Sequence, residues 1–328
     1  MVTHTCREGV AFRIDPDPAM LRDISELAPE NALLTPAYAE ARSRQGDTLV
    51  AVLTEANGSS VGSTAFIVPA GRYARLDIES VPDIPAGHPL WQQLLAFCSS
   101  HRVIRIRLDS FGSTRVAIPV LGPEVYRRAR FEYVLDLHHG VSPADFSTNH
   151  RRNLRRARSS GIEVFECADS ASVEAHVALI DLSKERRRER GENIYRGMSI
   201  EGFRDLIDTG AGRLFQASTS EQVILSSLLV LLSERGAYYH SAGTSPDGMS
   251  LGASQFLIAG VAERLAGRGV RQFNLGGATA DQPGLARFKA GLGTRVIELE
   301  AACFDNVTGL PRLWLGARSL MDSIGVSR

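Results

Sequence analysis

The sequence predicts an α/β protein of two βα-rich halves, each a mixed sheet flanked by helices. Three observations carry that expectation. Residues 238–293 run strand, loop, helix, strand and helix in turn. Strand-like runs recur through the first 140 residues around one clear helix. The 328 residues fit two domains of ~150 each. The expected division is residues 1–140 and residues 141–328, the second half opening at the loop that carries His138, His139 and SPADF.

In the first half the strands are expected at Thr48–Leu53, Val61–Val68, Arg75–Ile78 and Val103–Leu108, with a helix over Leu90–Ser99. The second half begins with a basic helix at Asn149–Ser159 and a strand at Val164. Val173, Val177 and Ile180 then form the buried stripe of a further helix, whose C-terminal end is KERRRERGENIYR, Lys184–Arg196. The apolar run Val223–Leu232, the turn SERG and the aromatic run from Tyr238 make a hairpin. After a loop, SPDGMSLGAS, residues Leu257, Ile258, Val261, Ala262 and Leu265 recur at helical spacing until Gly267 and Gly269 stop the helix. Arg271–Leu275 reads as a short buried strand, with Gly276 and Gly277 allowing close backbone approach at its end. Phe288 and Lys289 are expected on the first helical turn after it.

Composition narrows the function classes. A formal charge of zero argues against a surface built wholly to clamp a polyanion, and DNA is not an expected partner. The start of the chain lacks a secretory pattern, and its longest apolar run is far short of the ~20 residues a membrane helix needs, so a cytoplasmic location without membrane insertion is expected. Cys6, Cys98, Cys167 and Cys303 are scattered and read as reduced thiols, with no metal site. His138 and His139 have no third ligand at suitable spacing. Only two of the 37 basic residues are lysines, Lys184 and Lys289.

The strand-end LGG at Leu275–Gly277 followed by FKAGLG at Phe288–Gly293, with the basic helix STNHRRNLRRARSSGIEV upstream, resembles the Fem family of tandem-GNAT transferases. These join an amino acid from aminoacyl-tRNA to an amine on a peptide. The resemblance covers about residues 130–300 and the first third by general layout. It implies two tandem GNAT-like (acyl-CoA N-acyltransferase-like) domains. It also implies direct attack of an acceptor amine, on a peptide or a peptidoglycan precursor, without cofactor or covalent enzyme intermediate. No Ser-His-Asp or Cys-His arrangement stands out against this. The oligomeric state stays open.

The resemblance places Lys289, beside Phe288, at the donor, contacting its terminal phosphate and ribose or the charge developing on the tetrahedral intermediate. A fixed ammonium there stabilises charge that exists only in the transition state; the bland reading is a surface lysine. Tyr239 is the expected site tyrosine. Strand alternation puts Tyr239 and Ser241 on one face, and Tyr238 and His240 on the other. Arg187, Arg190, Tyr195 and Arg196 are the candidates for an acceptor phosphate or carboxylate, because bidentate guanidinium suits such groups; a solvated basic helix end is the alternative. Arg151, Arg155 and Arg158, with Arg152 and Arg156 adjacent, make a positive helix stripe suited to tRNA phosphates or simply to water. Asp109 closes a strand where the family has an acidic residue, and is either a partner of the acceptor amine or an ordinary strand end.

Two rival functions stay open. An acyl-CoA-dependent N-acyltransferase would show Q/R-x-x-G-x-G/A before its main helix, where MSLGAS keeps Gly252 but has Met249 and Ser254 at the outer positions. A non-catalytic tRNA-binding protein would have lost the set Gly276, Gly277, Phe288 and Lys289, which is intact.

Overall fold

The computed structural model describes residues 3–5, 10–56, 58–113, 116–191, 197–278 and 282–306. Its first half contains β1 (Thr3–Thr5), β2 (Ala11–Ile14), α1 (Pro18–Leu27), α2 (Pro36–Arg44), β3 (Thr48–Ala56), β4 (Ser59–Ala70), β5 (Tyr73–Ile78), α3 (Pro89–Ser100), β6 (Val103–Asp109) and β7 (Glu124–Asp136). The second contains α4 (Thr148–Ser159), β8 (Glu163–Cys167), α5 (Ser170–Glu189), α6 (Ile200–Asp208), β9 (Gly212–Ser218), β10 (Ile224–Leu232), β11 (Gly236–Thr244), α7 (Pro246–Leu251), α8 (Ala253–Gly267), β12 (Gln272–Ala278), α9 (Pro283–Ala290) and β13 (Arg295–Asp305). Local chemistry sets the helix starts. Asp17, Thr35, Ser147, Asp169 and Ser199 each accept a hydrogen bond from a first-turn N–H, and α1, α2 and α3 carry proline in the first turn.

Among the described residues the strands form one 13-stranded sheet in the order β1-β2-β3-β4-β5-β6-β13-β7-β12-β11-β10-β9-β8. The order is symmetric about its middle. From β2 to β6 the pairings are antiparallel except β5 with β6, and from β8 to β12 they are antiparallel except β11 with β12. Each half thus repeats strand, two helices, three strands, helix and strand. The last strands are exchanged: β7, from the first half, lies beside β12, and β13, from the second, lies beside β6. Accordingly Ala302 and Phe304 of β13 are buried in the first half's core with Leu76, Leu94 and Ile106. A second core joins α8 to β10–β12. On the opposite face, a third packs α2 against α5 and α6.

The expected strands at 48–53, 61–68, 75–78 and 103–108 fall within β3, β4, β5 and β6, and the helix over 90–99 within α3. Three local expectations are corrected. The segment SPDGMSLGAS is not an open loop but contains α7, capped by the Ser245 hydroxyl. The strand after α8 continues through its glycines to Ala278, and Lys289 stands in the last turn of α9, not the first. Tyr195, Arg196 and Cys6 lie outside the described residues. Among the described residues no helix is long and apolar enough to cross a membrane.

Helix α5 lies unusually close to β11. A Cβ at Gly243 would strike the backbone of Leu179 and Ile180, atoms that move only if the helix does. Gly243→Ala is therefore expected to lower stability by roughly 1–3 kcal/mol, the usual cost of overpacking, measurable as a lower denaturation midpoint at unchanged m-value.

Candidate functional site

Strands β11 and β12 run parallel and pair over only three positions, Gly236 with Gln272, Ala237 with Phe273 and Tyr238 with Asn274. Both strands are irregular just beyond. Register along β10 and β11 slips between Leu229 and Val230, so that Ser241 and Tyr239 face consecutive partners and His240 is an extra residue. On β12 the register against β7 slips between Asn274 and Gly277. Gly276 there adopts φ +69°, a left-handed conformation suited to glycine, and donates its N–H to Asn274 Oδ1 at 2.8 Å. The sheet therefore splays after Tyr238.

Lys289 enters this split from α9. It is 5% exposed, its Nζ donates to the Gly277 carbonyl at 2.6 Å, and it stands 5.5 Å from the centre of the Tyr239 ring. A Cβ at Gly276 would sit 3.7 Å from Lys289 Nζ and 3.4 Å from Tyr238 Oη, so the glycine borders both polar atoms. Burial pushes the Lys289 ammonium down to about 7, the Glu132 carboxylate opposing and the Arg130 guanidinium reinforcing the shift. The lysine thus changes charge near neutral pH, a property of groups that work on protons or transient charge.

Glu132 of β7, which the sequence did not single out, is fully buried behind the split. Four donors converge on its carboxylate: Tyr238 Oη at 2.9 Å, Asn274 Nδ2 at 2.7 Å, Arg130 Nη2 at 3.0 Å and the Gly112 N–H at 3.2 Å. Burial and this carboxylate both raise the Tyr238 phenol well above its ordinary value, and burial alone raises Tyr239. Arg130 stacks 3.5 Å from the centre of the Phe111 ring and also reaches Asp109 at 3.5 Å. The sequence signal for Glu132 was weak, because two of its partners, Tyr238 and Asn274, lie 106 and 142 residues away along the chain.

On the α8 side of the sheet, Tyr239 and Phe288 line a half-open cleft of ≈ 220 Å³. Its walls are Ser226 of β10, Ala242–Thr244 of β11, Met249 of α7, Ser254 and Leu257 of α8, and Ser183 and Arg186 of α5. Arg186 Nη2 donates to Ser183 Oγ at 3.0 Å and to the Thr244 carbonyl at 2.7 Å, whereas its Nη1 is buried without a hydrogen-bond partner. The sequence pointed instead to Arg187 and Arg190. Arg187 is half-buried and Arg190 exposed, and neither lines the cleft. The buried face of α5 is Val173, His176 and Leu179, and its continuation reaches Ser183 and Arg186. A histidine within that stripe concealed the register.

Three further expectations change. Because His240 is bulged, Tyr239 and Ser241 do not share a face: Tyr239 faces the cleft, while Ser241 Oγ meets His176 Nε2 of α5 at 2.9 Å. Asp109 does not open into the cleft. Strand β13 covers the end of β6, pairing Ala301 with Asp109, and the buried carboxylate accepts from Arg107 Nε at 2.6 Å. The arginine stripe of α4 is divided. Arg151 is spent on the carbonyls of Ala144 and Phe146 at 2.9 and 3.0 Å, Arg156 on that of Ser250 at 2.7 Å, and Arg152 on its neighbour Asn149 at 3.0 Å. Arg155 and Arg158 are exposed. The buried end of α4 instead supports the site, since His150 Nε2 and the Phe288 carbonyl lie 2.8 Å apart.

Residues 144–290 match the acetyltransferase (GNAT) domain family. Among solved structures, FemX superposes with a TM-score of 0.66 at 12% identity, over 93% of this chain and 99% of that one. A tandem GNAT protein from the clavulanic acid biosynthesis pathway gives 0.53 at 14% identity, over 92% of this chain and 100% of that one. The C-terminal domain of a putative lysylphosphatidylglycerol synthetase from Agrobacterium fabrum gives 0.52 at 14% identity, over 94% and 98%. No curated protein sequence matches this one. The FemX superposition over nearly the whole of both chains and the doubled strand order show that the chain has a tandem GNAT fold like that of FemX, with an acetyltransferase (GNAT) domain match over residues 144–290.

Proposed function

We propose that the protein is an acyltransferase that moves an aminoacyl group from aminoacyl-tRNA to an amine of a peptide or peptidoglycan-precursor acceptor, in the cytoplasm. The observation that carries this is Lys289, a buried ammonium held by the Gly277 carbonyl at the splay of β11 and β12, beside a cleft lined by Tyr239 and Phe288. In this reading the acceptor amine attacks the aminoacyl ester carbonyl, the carbonyl oxygen becomes an oxyanion near Lys289, and collapse expels the ribose hydroxyl, leaving an amide. The amine's proton passes to the departing ribose oxygen or to water. Tyr239 bounds the path of the acyl group. Asp109 has no part in this reading.

A second reading, acyl-CoA as donor, is favoured by one observation. The N-terminus of α8, with Gly252 before it in a left-handed conformation, borders the cleft and offers backbone N–H groups to a diphosphate. The two are separated by assaying amide formation from charged tRNA and from acyl-CoA, with and without ribonuclease. Loss of product on ribonuclease treatment supports the first; ribonuclease-resistant product that requires acyl-CoA overturns it. In the RNA-dependent case, Arg155→Ala with Arg158→Ala should weaken tRNA binding and reduce its salt slope by about one unit per lost contact. An unchanged slope would mean that this face of α4 is only solvated.

A further inference from the structure

We propose that Arg186 is the donor-phosphate residue of this protein, and that it works together with the open N-terminus of α8. The proposal rests on reading the cleft as the donor site and names the chemistry recognised there. Arg186 is the only charged residue among the described residues lining the cleft. Its guanidinium plane is fixed by Ser183 Oγ and the Thr244 carbonyl, which both take Nη2, and this leaves Nη1 buried with nothing to donate to. Buried guanidinium nitrogens are costly to leave unpaired, so an oxygen of a bound molecule is the natural acceptor. The closeness of α5 to β11 at Gly243 is what lets a residue near the end of α5 reach the Thr244 carbonyl at all.

The second half of the site lies across the cleft. Helix α8 is 15 residues long and its N-cap is Gly252, which has no side chain to offer the first-turn N–H groups. Ser254, in that turn, lines the cleft, and so does Met249 of α7. A thioether at Met249 gives an anion nothing to bind, and among the described residues no acidic side chain lines the cleft to oppose one. A single guanidinium arm on one wall and a helix N-terminus on the other suit a group with several oxygens pointing in different directions. That describes a phosphate better than a planar carboxylate. The cation absent at Met249 is thus supplied from α5. Two donors present such a phosphate: coenzyme A through its diphosphate, and tRNA through the phosphodiester next to its 3′-terminal adenosine.

The test is equilibrium binding to the full-length protein, by calorimetry, of coenzyme A, of the trinucleotide CCA and of pantetheine, which carries no phosphate. Arg186→Ala is expected to weaken whichever phosphate-bearing probe the wild-type protein binds by tenfold or more. It should leave pantetheine unchanged and the melting temperature no lower. Arg186→Lys should recover only part of the loss, because a point charge does not reproduce a fork already anchored on one side; should Arg186→Ala fail to fold, Arg186→Lys carries the same comparison. Affinity for both phosphate-bearing probes retained within twofold in a folded variant overturns the proposal, as does the absence of binding of either probe to the wild-type protein. Arg186-dependent binding of coenzyme A without binding of CCA upholds the phosphate role and overturns the RNA donor. Conversely, ribonuclease-sensitive transfer that persists undiminished in Arg186→Ala keeps the donor reading and removes Arg186 from it.

Discussion

Replacing Lys289 by Ala is expected to lower turnover by ~10² or more, about 2.7 kcal/mol of barrier, while acceptor affinity changes little. The expected effect is confined to turnover because, in the proposed function, the ammonium acts on charge that appears only as the tetrahedral intermediate forms. Lys289→Arg is expected to rescue poorly, since a planar guanidinium does not match the compact place between the Gly277 carbonyl and the Tyr239 ring. Stability separates this residue from a structural lysine. With the folded-state ammonium held near 7 against the ordinary 10.5, the unfolded chain binds more protons between those values, so stability rises with pH across that window. The cost of the buried charge is fully present below pH 7. There it exceeds the ~1 kcal/mol of one hydrogen bond to Gly277. Lys289→Met is therefore expected to melt higher than the wild-type protein at pH 6 and to lack its rise in stability between pH 7 and 10. A folded Lys289→Ala protein with near-normal turnover would remove the lysine, and the site built around it, from the chemistry.

Glu132→Ala is expected to cost about 3–5 kcal/mol of stability, the usual price of breaking a buried charge pair from one side. The change strips the acceptor from Tyr238 Oη, Asn274 Nδ2 and the Gly112 N–H at once. It also leaves the buried Arg130 guanidinium with Asp109 at 3.5 Å. Glu132→Gln keeps one acceptor oxygen and should cost less. Because Glu132 is the group that opposes the fall of the Lys289 ammonium, Glu132→Gln should also shift the lysine's titration to lower pH. With only two lysines in the chain, reductive ¹³C-methylation and NMR follow that titration directly. A loss below 1 kcal/mol on Glu132→Ala in a denaturant melt would show that the four donors find other partners.

The regular parts of the fold were legible in the sequence, and the irregular parts carry the candidate site. Strands β3 to β6, helix α3, the β10–β11 hairpin and α8 announce themselves through apolar periodicity, because each buries a continuous face. Strand β7 did not, although it lies near the centre of the sheet. Its run of arginines stays half-buried or exposed, with Arg127 paired to Glu300 of β13, and only Glu132–Leu135 of the strand are buried. Backbone pairing with β12 and β13, which hydropathy does not report, is what fixes β7 near the centre. The bulge at His240 was equally hidden. One inserted residue reverses the facing of all that follows it, so alternation counted from Tyr239 misplaced Ser241. Lys289 was legible because it stands in the FK pair of a lysine-poor chain; Arg186 was not, because it is one of five neighbouring basic residues and only the helix register selects it.

The exchange of β7 and β13 ties the protein's assembly to the order of its synthesis. As the chain emerges from the ribosome, β2 to β6 can pair with one another, but the flank of β6 stays bare until residues 295–305 arrive to cover it. The first half's core waits for Ala302 and Phe304 over the same interval. Partly finished chains thus expose a strand edge and an apolar floor, the features that attract chaperones and neighbouring nascent chains. Once closed, the same exchange means that cleaving the connection between β7 and α4 would not release either half, since each is fastened by the other's final strand.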